Sequence, residues 1–194
     1  MVISKDCFKI CLKTNLFHKI IKMCIRDRDI AQELGLSPDV KIKKDGTPQV
    51  LIYHTHTGES FLKTEMPNFY SSLDTRSRDE NLNVIAVGNE ITKKLEEAGI
   101  GVIHDTTIHD DPYTGAYNRS WETIQRNLNE NPTIQVTIDV HRDALGGEST
   151  RIKPTTVING RKAAQIMILS GYDGDGCLLY TSSHEHAFMC IMKI

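Results

Sequence analysis

NLNVIAVGNEITKKLEEAGIGVIHD, residues 81–105, decides the fold class. Its apolar residues Val84, Val87, Ile91, Leu95 and Ala98 recur at spacings of three and four, which is one face of a helix. Gly99 follows where a helix C-terminal cap belongs. IGVIHD (100–105) then changes period and becomes a short, β-branched apolar run, the mark of a strand. A helix that closes on glycine and feeds straight into a buried strand is half of a strand–helix–strand unit.

The same alternation extends on both sides. Upstream, QVLIYH (49–54) reads as strand one, and a long polar loop, 57–80, carries Pro67 and the charged run TRSRDE (75–80). Loops of that length in a compact domain are usually functional or disordered. Downstream, a turn holds Asp110, Asp111 and Pro112, and residues 117–130 repeat the helical spacing with Tyr117, Trp121, Ile124 and Leu128, stopping before Pro132. IQVTIDVH (134–141) is strand three, Gly146-Gly147 marks a loop, and TTVINGRKAAQIMILSG (155–171) reads as strand, Asn159-Gly160 turn and strand. The order predicts an α/β fold with a mainly parallel central sheet, flanking helices and right-handed crossovers.

At 194 residues and 39% hydrophobic content the chain is long enough for one sizeable core. The net charge of -2, without a run of five basic residues, argues against nucleic acid as a partner. No apolar run approaches the ~20 residues that cross a bilayer, and the N-terminal segment lacks the pattern of a signal peptide.

The two ends differ from the middle. All five cysteines (Cys7, Cys11, Cys24, Cys177, Cys190) lie in the first 28 or last 18 residues. Residues 1–28 carry seven basic side chains against two acidic, whereas the interval between the ends carries 15 basic and 22 acidic. MCIRDR (23–28) and CLLYTS (177–182) can be encoded by reverse-complementary DNA, and both resemble translations of a transposon end used in preparing sequencing libraries. Segments 1–28 and 177–194 are therefore expected to be sequencing or assembly artefacts around a genuine fragment, which the encoding nucleotide sequence tests. Residues 29–47, with a short helical candidate DIAQELGL (29–36), read as an upstream linker remnant, and 48–176 as one partial domain.

Five histidines fall in that interval: His54, His56, His104, His109 and His141, each at or near the end of an expected strand. A parallel sheet puts these ends on one rim, where open α/β proteins place their ligand sites. A lone strand-end histidine is more often solvated or bonded to backbone, but five at one rim weaken that reading. Alternation along strand one is expected to send His54 and His56 to one face. His56 and Glu59 form a His-x-x-Glu pair leaving a strand, and imidazole with carboxylate suits zinc. His141, in DVHRDA (139–144), is the best placed third ligand, and two histidines with one carboxylate leave a position open for water, as catalytic zinc sites do. Asp139 either orients His141 or caps a turn. Arg142 contacts substrate or pairs on the surface, and His54, His104 and His109 are candidates to line a substrate cleft, with a loop-stabilising role as the alternative for His104. Glu80, at the start of the first helix, rivals Glu59 as the carboxylate.

The series VLIYHTHTGESF (50–61), NVIAVGNEITKKLEEAGIGVIHDTTIHDDPYTGAYNRSWETI (83–124) and IQVTIDVHRDA (134–144) resembles the stage II sporulation protein P family, in order and with similar spacing from about residue 48 to 170. The resemblance implies a zinc-dependent N-acetylmuramoyl-L-alanine amidase with a phosphorylase/hydrolase-like α/β fold and additional endopeptidase cleavage. It implies peptidoglycan as substrate, work in engulfment during sporulation, stage II sporulation protein D as partner, and a place on the extracytoplasmic face of the cell membrane. Matched residue by residue, the strand-one histidine falls on His56 and the strand-three histidine on His141. The carboxylate falls on Glu59 by the sporulation family's own motif and on Glu80 by the wider amidase pattern; Glu59 is preferred. The glutamate that the family uses as general base, and its membrane anchor, have no counterpart here, so the resemblance implies a C-terminally truncated fragment with little turnover. A zinc carboxypeptidase-like hydrolase and a non-catalytic cell-wall-binding module are the rival readings.

Overall fold

The computed structural model describes residues 40–62, 68, 70, 74–147, 150–170 and 187–193. The alternation read from the sequence is present. β1 (Pro48–Tyr53) leads through the polar loop to α1 (Val84–Glu97), β2 (Gly101–His104), α2 (Ala116–Glu130) and β3 (Val136–Asp143). Asn83 starts α1: its side-chain oxygen accepts the Ile85 backbone N–H at 2.9 Å, satisfying a donor that the first helical turn leaves free. Gly99, at φ 83°, ends it in a conformation that costs glycine no Cβ clash.

β1 is the centre of the parallel part. It pairs in parallel with β2 on one side and β3 on the other, with Ile52 opposite His104 and Tyr53 opposite Asp139, so the C-terminal ends of all three strands share one rim. Alternation divides the core into two layers. Val50, Ile52 and Val140 pack on Val84 and Val87 of α1, while Leu51 and Tyr53 pack on Ile124 of α2. Both faces of β1 are buried, which explains why it reads as a continuous apolar run.

Three features add to or depart from the sequence reading. The sheet is mainly parallel, as expected, with an antiparallel edge: its order is β2-β1-β3-β8-β7-β6, with β8 (Ala187–Lys193) parallel to β3, and β7 (Arg161–Ser170) antiparallel to both β8 and β6 (Thr155–Ile158). The glycine pair at 146–147 belongs to a small hairpin of β4 (Leu145–Gly147) and β5 (Thr150–Ile152), because antiparallel pairing needs no side chain to form its ladder. The third concerns α2. Its buried residues are Ala116, Ser120, Thr123, Ile124 and Asn127, and Tyr117 and Trp121 stay exposed. The small polar residues face inward because each has a buried partner, described below.

Segment 1–28, the helix candidate 29–36 and residues 177–186 lie outside the described residues. The backbone of β8 lies within segment 177–194; the origin of its codons is a question for the nucleotide sequence.

Candidate functional site

The rim at the C-terminal ends of β1 and β3 collects His56, Glu59 and His141. β1 ends at Tyr53 and the chain turns over residues 55–58, so strand alternation no longer governs His56. His54 points to the α1 side and His56 to the rim beside α2, contrary to the expectation that both face one way. The His56 ring lies flat on Tyr113, with centroids 4.7 Å apart and planes at 6°, and meets the His141 ring edge-on at 5.3 Å. Glu59 Oε2 stands 3.5 Å from His141 Nδ1 and accepts the Arg142 backbone N–H at 2.6 Å.

His141 is held from its other side. Its Nε2 is 2.9 Å from Asp139 Oδ2, an ion-pair distance off the axis of an ideal hydrogen bond. Asp139 is in turn fixed by Thr55, which donates its backbone N–H to Oδ1 at 2.9 Å and its hydroxyl to Oδ2 at 2.6 Å. Ser120 Oγ of α2 stands 2.8 Å from the Thr55 hydroxyl. Burial alone would lower the His141 pKa, but Asp139 and Glu59 outweigh it and carry it up to about 9. Burial lowers the pKa of His56, against the pull of Glu59. One imidazole is thus poised as a cation and its neighbour as a neutral base.

The donor types fit zinc: two imidazoles, one carboxylate, and a buried His56 Nδ1 without a hydrogen-bond partner. Among the described residues, however, no three His, Cys, Asp or Glu side chains are grouped closely enough to hold a metal as they stand. His141 meets both His56 and Glu59, and the three are not drawn into a common centre.

The remaining histidines have other surroundings. His54, fully buried, donates from Nδ1 to the Val140 carbonyl at 3.2 Å, leaving Nε2 to accept from His104 Nε2 at 2.8 Å. Burial pushes its pKa down to about 4 and also lowers that of His104. The pair fits because α1 carries glycine at this point: a Cβ on Gly88 would lie 2.9 Å from His54 Nε2 and nearer still to the His104 ring. His109, 1% exposed, donates from Nδ1 to the His54 carbonyl at 2.7 Å and pairs through Nε2 with Thr123 of α2 at 2.9 Å. As positioned, both ring nitrogens of His54 and of His109 are engaged by partners within the protein. Arg142 donates from its guanidinium to the Thr75 carbonyl at 3.0 Å.

A cleft of about 340 Å³ adjoins the rim beneath Gly58, lined by Asp74, Arg76, Arg78, Glu80 and Asp110 among others. Glu80 therefore faces this cleft, while Glu59 is the carboxylate beside His141. Asp110, nearly buried, ties the cleft to the rim: it accepts the Gly58 backbone N–H at 3.0 Å and pairs with Arg76. Arg76 also sits 5.1 Å over the Tyr113 ring. Sequence reasoning missed Thr55, Gly88, Tyr113 and Asp110 as parts of the site. For Thr55 the available signal was its position between the two histidines, at the first residue of the turn; for the others no local pattern pointed to the rim.

Comparison with known proteins gives two matches and one absence. The family model described as stage II sporulation protein P matches residues 21–185. Stage II sporulation protein P of Bacillus subtilis (strain 168) is 33% identical over 130 residues, covering 63% of this chain and 30% of that protein. The chain thus spans less than a third of the length of that curated relative. No solved structure matches it.

Proposed function

The chain belongs to the stage II sporulation protein P family, and from that premise we propose that it carries the metal rim of a zinc-dependent peptidoglycan hydrolase. The reaction proposed is that of an N-acetylmuramoyl-L-alanine amidase, with endopeptidase cleavage as a second activity of the same rim. The observation that carries this reading is the meeting of His56, Glu59 and His141 from two distant segments, with His56 Nδ1 buried and unpartnered. These three would hold the metal. When bound, zinc supplies Lewis acidity toward the scissile carbonyl and toward a water.

The surrounding residues prepare the ligands. Asp139, itself held by Thr55, favours the proton of His141 on Nε2 and so leaves Nδ1 for the rim. The Arg142 backbone N–H fixes one oxygen of Glu59. The charged cleft under Gly58 suits the stem peptide, whose carboxylates and amines match Arg76, Arg78, Asp74 and Glu80. Family membership supports a role in engulfment beside stage II sporulation protein D on the extracytoplasmic face of the membrane. Among the described residues no helix is long and apolar enough to cross a membrane.

Zinc content of the purified chain, compared with His56→Ala, Glu59→Gln and His141→Ala, tests the ligand set: one zinc per chain is expected, lost in each variant. Digestion of purified cell walls by the complete gene product tests the chemistry, with new alanine amino termini expected and none formed with a chelator present. Chelator-insensitive digestion would overturn the reading. Cleavage of free peptides alone would point to a carboxypeptidase-like hydrolase. A non-catalytic wall-binding module is the second reading, favoured by the absence of a closed group of metal donors among the described residues; wall binding unchanged in His56→Ala and His141→Ala, with no digestion, would establish it.

A further inference from the structure

α2 turns the usual logic of an amphipathic helix around. It buries Ser120, Thr123 and Asn127 and leaves its large rings outside: Tyr117 is 57% exposed and Trp121 52%, and Tyr113, in the turn just before the helix, is 60% exposed. Soluble proteins tolerate single exposed aromatics, but a contiguous set beside a candidate active site marks a binding surface. These three are connected to the rim. Tyr113 stacks flat on His56, Tyr117 meets the same ring edge-on at 5.3 Å, and Trp121 stands one helical turn beyond Tyr117 on the same side of α2.

Resting on the amidase reading above, we propose that Tyr113, Tyr117 and Trp121 form the subsite that holds the glycan strand of peptidoglycan. The scissile amide is separated from the muramic acid ring only by its lactyl ether. A rim that places His56 and His141 at the amide must therefore place a sugar within a few bonds of it, and the rings around His56 are Tyr113 and Tyr117. A pyranose ring presents an apolar face of C–H bonds and a perimeter of hydroxyls. An aromatic side chain that is half in water packs against the first and leaves the second hydrated. The helix positions alongside carry Asn118, Glu122 and Gln125, hydrogen-bonding groups suited to hydroxyl and acetamido substituents, with no row of basic residues that would select a polyanion. Continuity with the rim distinguishes a glycan from the other occupants of such a face, which are a stem peptide, a second protein or a further segment of the chain.

Trp121 is the sole tryptophan of the chain, so its emission reports on this surface alone. The test titrates the full chain with peptide-free glycan strands and, separately, with free stem peptide, following tryptophan fluorescence with a chelator present so that no turnover intervenes. Glycan strands are expected to shift the emission to shorter wavelength in a saturable way, and stem peptide is not. By co-sedimentation, Tyr117→Ala and Trp121→Ala should each weaken glycan binding about fivefold or more, the scale of one aromatic contact, while Trp121→Phe stays near the parent. Both side chains are largely in water, so unchanged circular dichroism and melting midpoint are expected and exclude misfolding as the cause. A shift with stem peptide alone, an already buried emission that no ligand moves, or equal glycan binding by both alanine variants would each overturn the subsite. Wall digestion accompanied by any of these outcomes removes the subsite and leaves the amidase reading. Glycan binding through Tyr117 and Trp121 without amide cleavage removes the amidase and leaves the subsite.

Discussion

Asp139 faces His141 across 2.9 Å, and Thr55 grips both oxygens of that carboxylate from the opposite side. The arrangement makes Thr55 a residue that orients His141 through Asp139, while its own backbone leads directly into His56. Thr55→Val keeps the shape but removes the hydroxyl donor, and Asp139→Asn keeps the size but removes the charge. Each should reduce zinc affinity about 10- to 100-fold, the usual cost of losing a partner that orients a ligating histidine. Competition against a fluorescent chelator measures it, and an unchanged affinity in both variants would show that His141 is oriented otherwise.

Stability of the metal-free chain should peak near the pH where an ordinary histidine titrates. His54 has a folded pKa of about 4 against the ordinary 6.5 of a histidine, so between those values the unfolded chain holds a proton that the folded chain does not. Its contribution is fully present above 6.5 and is lost as pH falls toward 4, by about 3 kcal/mol at most. His141 has the opposite sign. Its folded pKa is about 9, so its contribution is present below 6.5 and is lost as pH rises toward 9. Urea midpoints with a chelator present should therefore fall on both sides of the maximum. His54→Gln should flatten the acid limb and Asp139→Asn the alkaline limb.

The unequal fates of these two histidines show what could be read from the chain. The helix spacing of Val84, Val87, Ile91 and Leu95 and the apolar run at 49–54 were enough to order strand, helix and strand, because burial on both faces of β1 leaves a periodic trace. The pairing of β3 with β8 left no such trace, since neighbours distant in sequence are chosen by the whole sheet. The direction of His56 was not legible either: alternation holds only while the strand lasts, and β1 stops three residues before it. The inward face of α2 misled for a different reason. Apolar spacing picked Tyr117 and Trp121, whereas the helix is seated by hydrogen bonds from Thr123 to His109 and from Asn127 to Asp105.

Gly88→Ala should destabilise the chain despite alanine's advantage inside a helix. The propensity gain is about 1 kcal/mol, but the added methyl meets the His54–His104 pair below van der Waals distance, and overpacking of this kind costs about 1–3 kcal/mol. The double variant Gly88→Ala, His104→Ala removes the ring that the methyl strikes. Its denaturation midpoint should exceed the value expected from adding the two single effects, and strict additivity would show that the glycine is not there for the histidines.

Asp110 tests how far the loop over residues 57–80 is tied to the rim. Its carboxylate accepts the Gly58 backbone N–H at 3.0 Å and pairs with Arg76, whose guanidinium lies over Tyr113, which in turn stacks on His56. Gly58 directly precedes Glu59, so one side chain restrains both the carboxylate and the imidazole of the candidate site. Asp110→Asn leaves the size unchanged and removes the charge that Arg76 answers. The carboxylate is 4% exposed but the Arg76 side chain is 38% exposed, so water solvates the cation left behind and the loss is expected to be about 1 kcal/mol. The consequence expected at the site is larger than in the rest of the fold: hydrogen exchange of the amides of Gly58 and Glu59 should accelerate about tenfold or more while that of β1 stays protected. Equal acceleration in β1 would mean that Asp110 supports the domain as a whole and gives the loop no separate anchor.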